Sequence, residues 1–486
     1  MYKKTKILAT VGPASDSLEV LEGLIKAGVN VFRLNFSHGT HEYHSNTLAK
    51  IREASKNTNI KVGVLQDICG PKVRVGKLES DFYLKKDDKV IFTKEPIEGK
   101  QISDNSYRVC INQPDILDMI KEDEYIYMCD GSIRAKVMKI DGDVVTRIDN
   151  DGRLASNKGV NFPNTVINID VLTPKDIVDL EWGAKNDVDF VAISFVQNEK
   201  DVLKARKILE GYNSKSQVFS KIEKFDAVEN LEEILKVSDG IMVARGDLGI
   251  EVPYSKVPTI QKKIIKMANS ASKPVITATQ MLLSMTDNDM ATRAEISDVA
   301  NAVLDGTDAV MLSEESAVGI NPINVVEVMS NTIKETEKIY SYNKFGKFEY
   351  LDDTDIVTAS VAKLARNLNT KAILSLTSSG KSAKKLARYR IESDIFAITH
   401  DERVARSLTI CWGIKPIMSI GLSASDEMLS NAISMGVEKG FIDLDQTYIV
   451  TAGYPAGIEG STNFLHILKR EQLEYYLGWC DVNKQQ

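Results

Sequence analysis

The run Ser220-Lys-Ile-Glu223 sets an ammonium and a carboxylate two residues apart, the spacing that puts both on one face of an extended strand. A second carboxylate, Asp247, lies in Met242-Val-Ala-Arg-Gly-Asp-Leu-Gly249. Glu223 and Asp247 are hard oxygen ligands of the kind that hold Mg²⁺ or Mn²⁺ and leave positions for substrate and water. A cation such as Lys221 beside a divalent metal neutralises a transferring phosphoryl group or a developing enolate. The glycines of the 244–249 turn expose backbone N–H groups, a cradle for a carboxylate. Other polar residues fall at comparable places: Arg33, Asn35 and Ser37, then Asp67, Arg245, Thr279, and Ser313 with Glu315. Each alone reads as a surface ion pair or a cap. Their shared position does not.

That position is the end of a strand. Short β-type runs at 6–10, 30–34, 61–67, 190–194, 217–222, 240–244, 274–278 and 309–312 alternate with helix-length segments such as 226–236 and 292–304. Eight such units predict a closed (β/α)8 barrel, whose functional groups collect on the C-terminal rim. One interval is too long. Between Asp67 and Phe190, alternating runs at 124–129 and 133–140 are punctuated by Asp130-Gly131, Asp141-Gly142 and Asp151-Gly152, as hairpins require. This predicts a β-rich domain, residues 71–168, inserted after the third strand. The barrel is expected over 1–70 and 169–342. A second α/β pattern, with strands near 372–376, 395–399, 416–418 and 448–451, makes residues 343–486 a C-terminal domain.

The chain of 486 residues carries 61 Lys+Arg against 68 Asp+Glu, a net charge of −7. An acidic chain without a long basic run argues against nucleic acid and membrane surfaces as partners. No apolar stretch reaches the roughly 18–20 residues of a spanning helix. The apolar run after Met1-Tyr-Lys-Lys stops at Gly12-Pro13, too soon for a signal peptide. The five cysteines lack Cys-x-x-Cys spacing, which predicts free thiols and a cytoplasmic location.

Several long motifs closely resemble the pyruvate kinase family. They are Thr5-Lys-Ile-Leu-Ala-Thr-Val-Gly-Pro-Ala-Ser15, Phe32-Arg-Leu-Asn-Phe-Ser-His-Gly39, the two runs around Lys221 and Asp247, Lys273-Pro-Val-Ile-Thr-Ala-Thr-Gln-Met-Leu282, and Thr292-Arg-Ala-Glu-Ile-Ser-Asp-Val-Ala-Asn-Ala-Val-Leu-Asp-Gly306. The resemblance implies a barrel, a β-barrel lid and a regulatory C-terminal domain, assembled as a homotetramer. It implies phosphoryl transfer from phosphoenolpyruvate to ADP in glycolysis. By the same resemblance Glu223 and Asp247 hold the metal. Lys221 and Thr279 serve the enolate chemistry, and Arg33 clamps the phosphate. The backbone of Ala244, Arg245, Gly246 and Asp247, with Thr279, binds the substrate carboxylate. Arg33, Arg74 and Lys158 take the nucleotide.

The pattern departs from the family after the third strand. Where most members read Asp-Thr-Lys-Gly-Pro-Glu and need K⁺, this chain reads Asp67-Ile-Cys-Gly-Pro-Lys72. Asn35, Ser37 and Asp67 keep the positions of the K⁺ site, while Lys72 brings a fixed positive charge. The resemblance to the lysine-bearing branch implies activity without K⁺. Leu283 and Glu314 also depart, without touching the metal positions or Lys221. Cys69 reads as a buried small residue. In the C-terminal domain, Thr377-Ser-Ser-Gly-Lys-Ser382 follows a strand and opens a helical run at 383–390. Its hydroxyls (Thr377, Ser378, Ser379, Ser382), with Gly380 and Lys381, suit a phosphate. Ser375 stands where a nucleotide P-loop needs glycine. The loop, and Thr451-Ala-Gly-Tyr-Pro-Ala-Gly-Ile-Glu-Gly-Ser-Thr-Asn463, resemble the family's site for a phosphorylated effector.

Overall fold

A computed structural model of the chain describes residues 3–167, 169–346, 348–418, 425–454 and 462–483. Eight parallel strands close into a barrel in sequence order: Lys6–Thr10, Val31–Asn35, Gly63–Asp67, Phe190–Ile193, Gln217–Ile222, Gly240–Ala244, Val275–Ala278 and Ala309–Leu312. The first and last strands pair parallel, Lys6 opposite Ala309. The period of two along each strand sorts its side chains into two apolar groups. Ile7, Phe32, Val64, Val191, Val218, Ile241 and Val310 point outward to the helices. Leu8, Val31, Leu65, Ala192, Phe219, Met242 and Met311 fill the interior.

The same parity carries upward. Thr10, Arg33, Asn35, Asp67, Ser194, Lys221 and Glu223 continue the inward-facing series toward the strand ends. The upper part of the interior is therefore polar where a barrel otherwise holds branched apolar side chains. Arg33 and Asn35 lie within the second strand, not after it as the sequence suggested.

The insertion has its own apolar core, with Val90, Phe92, Ile126, Ile133 and Val144 inside. Its main sheet runs in the order Val160–Asn161, Tyr125–Met128, Ile133–Asp141, Asp143–Ile148, Lys89–Thr93, Ser106–Cys110, Lys100–Ser103. Short bridges from residues 73–76 join its two sides, Arg74 pairing with Gly159 and Val75 with Ile111, with the Val160 N–H donating to Val73 O at 3.0 Å and the Gly76 N–H to Cys110 O at 2.8 Å, so the sheet curls into a barrel. Asp130-Gly131 and Asp141-Gly142 turn the two hairpins, with positive φ at Asp130 and at both glycines. Asp151-Gly152 does not. Gly152 begins a strand, Gly152–Leu154, that pairs with Phe82–Leu84 in a separate sheet. A Cβ there would lie 2.4 Å from the Ile133 side chain, so close approach and not turning requires the glycine.

The C-terminal sheet has the order Ile414–Met418, Asp394–Thr399, Ala372–Leu376, Tyr448–Gly453, Thr462–Leu468. Its last strand is antiparallel and forms an edge. The sequence reading missed it because a half-exposed edge mixes polar with apolar residues and carries no clean signal. Two helices also differ from expectation. The segment 226–236 is broken at Asn230 into Phe225–Glu229 and Leu231–Val237. The run at 383–390 begins earlier and ends earlier, as Lys381–Ala387, because Arg390 takes a left-handed φ of 47°.

Candidate functional site

Lys221 reaches the rim from the fifth strand with its side chain 13% exposed. Its Nζ lies 2.9 Å from Glu223 Oε1 and 3.2 Å from Asp67 Oδ1, and donates to Ser194 Oγ at 2.8 Å. Burial alone would lower the pKa of this ammonium. The Asp67 and Glu223 carboxylates outweigh burial and hold it well above the ordinary lysine range. The charge on Lys221 is therefore held by its two carboxylate neighbours.

Asp67 is 2% exposed, and burial would raise its carboxyl; Lys221 and then Arg33 prevail and keep it low. Arg33 donates through Nε to Asp67 Oδ2 at 2.7 Å and through Nη1 to Thr10 Oγ1 at 3.0 Å. Glu223 is different. Burial raises its carboxyl, Asp247 adds to the rise, and Lys221 with the Phe195 N–H, which donates at 2.7 Å, offsets only part. The negative charge gathered around Glu223 creates a local demand for a cation.

The seventh strand ends in a turn where Thr279 and Gln280 have φ values of 68° and 53°. Such a conformation is rare for a β-branched residue and marks a held geometry. Thr279 Oγ1 accepts from the Gly246 N–H at 2.8 Å. Gly246 belongs to the short helix Arg245–Glu251, which also presents Asp247. Glu315, expected at the rim, is instead buried and accepts from the N–H groups of Leu282 and Ser313. It braces the turn beneath the site.

The inserted domain faces this rim. A cavity of about 40 Å³ between the two is lined by Lys72, Asp130, Asn161, Lys224, Asp247 and Glu251, with apolar neighbours. Asn161 donates to Glu251 Oε1 at 3.4 Å across the boundary. Asn35 and Asp67 are register partners on adjacent strands, and Asn35 Oδ1 accepts from the Ser37 N–H at 3.1 Å. Lys72 is set in the lid cleft with Asp247, while Asp67 pairs with Arg33 and Lys221. Arg74 and Lys158 are neighbours within the inserted domain. Arg74 Nη1 donates to Asn157 O at 2.9 Å, and the Val75 N–H to Lys158 O at 2.9 Å.

Thr10 and Ser194 join the polar layer although the sequence reading did not single them out. Their inward parity at the ends of strands one and four was the available signal. Lys224 and Glu251 had none, since both become buried only where the insertion meets the barrel.

In the C-terminal loop, Thr377 Oγ1 accepts from the Gly380 N–H at 2.8 Å, and the Ser375 and Ser382 hydroxyls lie 2.9 Å apart. Lys381 is paired with Asp352 at 2.7 Å. Of the second expected effector segment, residues 455–461 lie outside the described residues. Cys69 is half-buried. Among the described residues no helix is long and apolar enough to cross a membrane.

A closed (β/α)8 barrel with an ammonium flanked by carboxylates in its upper interior, facing an inserted β domain, defines a lid-bearing barrel enzyme. The model of the pyruvate kinase barrel domain matches residues 2–326, and that of the pyruvate kinase alpha/beta domain matches residues 355–468. This chain belongs to the pyruvate kinase family. Pyruvate kinases of Staphylococcus epidermidis strain RP62A and Staphylococcus aureus strain MRSA252 are each 43% identical over 473 residues, covering 96% of this chain and 80% of theirs. The crystal structure of a pyruvate kinase from Cryptosporidium parvum superposes with a TM-score of 0.90 at 34% identity, covering 96% of each chain.

Proposed function

We propose that this protein transfers the phosphoryl group of phosphoenolpyruvate to ADP, giving ATP and pyruvate as the last step of glycolysis. The observation that carries the reading is the buried triad of Lys221, Glu223 and Asp67, with Arg33 and Asp247 beside it. Lys221 stays charged and offers its ammonium to the phosphoryl oxygens and to the enolate oxygen left when the P–O bond breaks. Arg33 suits a phosphate because its planar fork donates in two directions at once. The backbone of Ala244–Asp247, with Thr279, receives the substrate carboxylate, and the Thr279 hydroxyl stands near the path of the proton to the enolate carbon.

The residues fit a hard divalent cation. Glu223 and Asp247 are oxygen donors whose mutual repulsion such an ion relieves. Two carboxylates would leave the remaining positions of such an ion to substrate and water. When bound, Mg²⁺ or Mn²⁺ would supply charge neutralisation at the enolate and phosphoryl oxygens. Arg74 and Lys158 face the nucleotide from the lid. Lys72 makes K⁺ dispensable by bringing its own ammonium into the cleft that Asp247 lines.

The domain division is 1–70 with 169–342 for the barrel, 71–168 for the lid and 343–486 for the C-terminal domain. Family membership supports a cytoplasmic homotetramer with a phosphorylated effector at Thr377–Ser382.

A coupled assay for pyruvate formation from phosphoenolpyruvate and ADP with Mg²⁺, run with and without K⁺, tests the reading. Activity is expected in both. Loss of rate in a buffer free of K⁺ and NH₄⁺ would remove the role given to Lys72. Lys221→Met should abolish most of the activity, about 10³-fold or more if it carries a preorganised charge contact of the usual size; a near-normal rate rejects its assigned part.

A further inference from the structure

The substrate cradle described above uses only the backbone of Arg245, yet its side chain is 11% exposed and fully engaged. Its Nε donates to Ala278 O at 3.2 Å and its Nη2 to Thr279 O at 2.7 Å. Nη1 pairs with Asp298 Oδ1 at 2.7 Å, and Nη2 also lies 2.8 Å from Met281 Sδ. One guanidinium thus gathers two consecutive carbonyls, at the place where Thr279 and Gln280 both turn left-handed.

Two successive carbonyls of an ordinary strand point in opposite directions. For both to meet one planar fork, the chain must twist out of the strand after Ala278, and the positive φ values at 279 and 280 do this. Nothing in the two side chains favours that conformation; a β-branched threonine opposes it. The force has to come from outside the turn; Glu315 braces it farther on, through the Leu282 N–H, and Arg245 is the side chain that gathers the carbonyls of the turn itself. Asp298, on the helix Arg293–Asp305, balances and orients the guanidinium.

We infer that the Arg245 side chain, anchored by Asp298, is a positioning residue that holds the Thr279–Gln280 turn and so aims the Thr279 hydroxyl at the barrel mouth. Thr279 Oγ1 is then fixed between the Gly246 N–H at 2.8 Å and Ala278 O at 2.6 Å. The hydroxyl and the turn bearing Asp247 become one rigid unit. Lysine could not substitute, because a single ammonium on a flexible stem lacks the planar fork that joins two carbonyls and a carboxylate.

This inference rests on the reading of Thr279 as part of the pyruvate-forming site, and two variants test it. In Arg245→Lys, a crystal structure is expected to show Thr279 leaving the left-handed region and its hydroxyl displaced. A turn retained in that variant overturns the inference, whatever the activity. In the assay, Arg245→Lys and the milder Asp298→Asn should lower kcat, at least tenfold and at least threefold respectively. They should lower deuterium exchange into the methyl group of pyruvate in step, with KM for ADP changed less than twofold. Asp298→Asn keeps Arg245 and should fold normally, so it still reports if Arg245→Lys does not. A loss confined to ADP binding, or kcat unchanged in Asp298→Asn with a normal turn, contradicts the inference. Wild-type protein that forms no pyruvate would refute the functional reading alone, since the conformation of the turn is read separately.

Discussion

A buried ionisable side chain is informative when its partners explain its charge, and Glu251 is such a case. It is 7% exposed, accepts from Asn161 of the lid, and among the described residues its Oε2 has no hydrogen-bond partner. Burial pushes its carboxyl up to about 7, with Lys224 offsetting part of the shift. The folded chain therefore keeps this proton at pH values where the unfolded chain has released it. Stability contributed by this group must fall as pH rises from about 4.5 to about 7. Glu251→Gln removes that dependence. The variant is expected to gain on the wild type by roughly 1–3 kcal/mol between pH 5 and pH 8, following the 1.36 kcal/mol carried by each pKa unit. Denaturant unfolding of both proteins at the two pH values measures it, and an equal slope with pH would remove Glu251 as the cause. Lys221 shows the opposite balance: it is largely buried too, but two carboxylates within 3.2 Å keep its charge.

At the scale of elements, the site depends on helices that begin where they must. The helix Arg293–Asp305 opens with a reciprocal capping box: Thr292 Oγ1 accepts from the Glu295 N–H at 3.3 Å, and Glu295 accepts from the Thr292 N–H at 2.8 Å. Glu295 reaches further, accepting from the Ser284 N–H at 2.7 Å, and so ties the helix start to the loop after the seventh strand. This helix carries Asp298, the partner of Arg245. Thr292→Ala should cost about 1 kcal/mol, the usual value of an N-cap hydroxyl. Faster hydrogen exchange at the Glu295 amide would report it, and unchanged protection there would show that Glu295 alone holds the helix start. The broken helix at Asn230 belongs to the same scale. The period of 3.6 in its sequence is continuous, but the Asn230 amide side chain donates to Gln197 O at 2.9 Å, a tertiary contact that periodicity cannot show.

At the scale of the whole molecule, the lower barrel interior and the inner face of the C-terminal domain form one apolar cluster, from Leu8 and Phe219 to Ile373 and Ile395. A charged pin crosses the same boundary. Arg390 is buried, pairs with Asp308 at 2.9 Å, donates to Gly306 O at 2.8 Å and lies 5.0 Å over the Trp412 ring. Asp308 precedes the eighth strand, so the pin enters the barrel at the end opposite Lys221. Arg390→Ala would leave Asp308 as a buried charge that keeps only backbone partners, at a cost of roughly 3–5 kcal/mol. Calorimetry should then show the C-terminal domain unfolding before the barrel. A single transition at the wild-type temperature would mean that the apolar cluster alone couples them. The amino-acid sequence by itself determined the barrel, the insertion after the third strand and the rim positions of Lys221, Glu223, Asp247 and Thr279. It could do so because a period of two and strand-end motifs are local properties. Only the tertiary structure decided that Ser194 and Asp67 complete the surroundings of Lys221, and that Glu315 is a brace. The same holds for the left-handed turn under Arg245 and the burial of Glu251 beneath the lid. Each of these depends on register between strands or on contact between domains distant in the chain, and no window of sequence contains both partners.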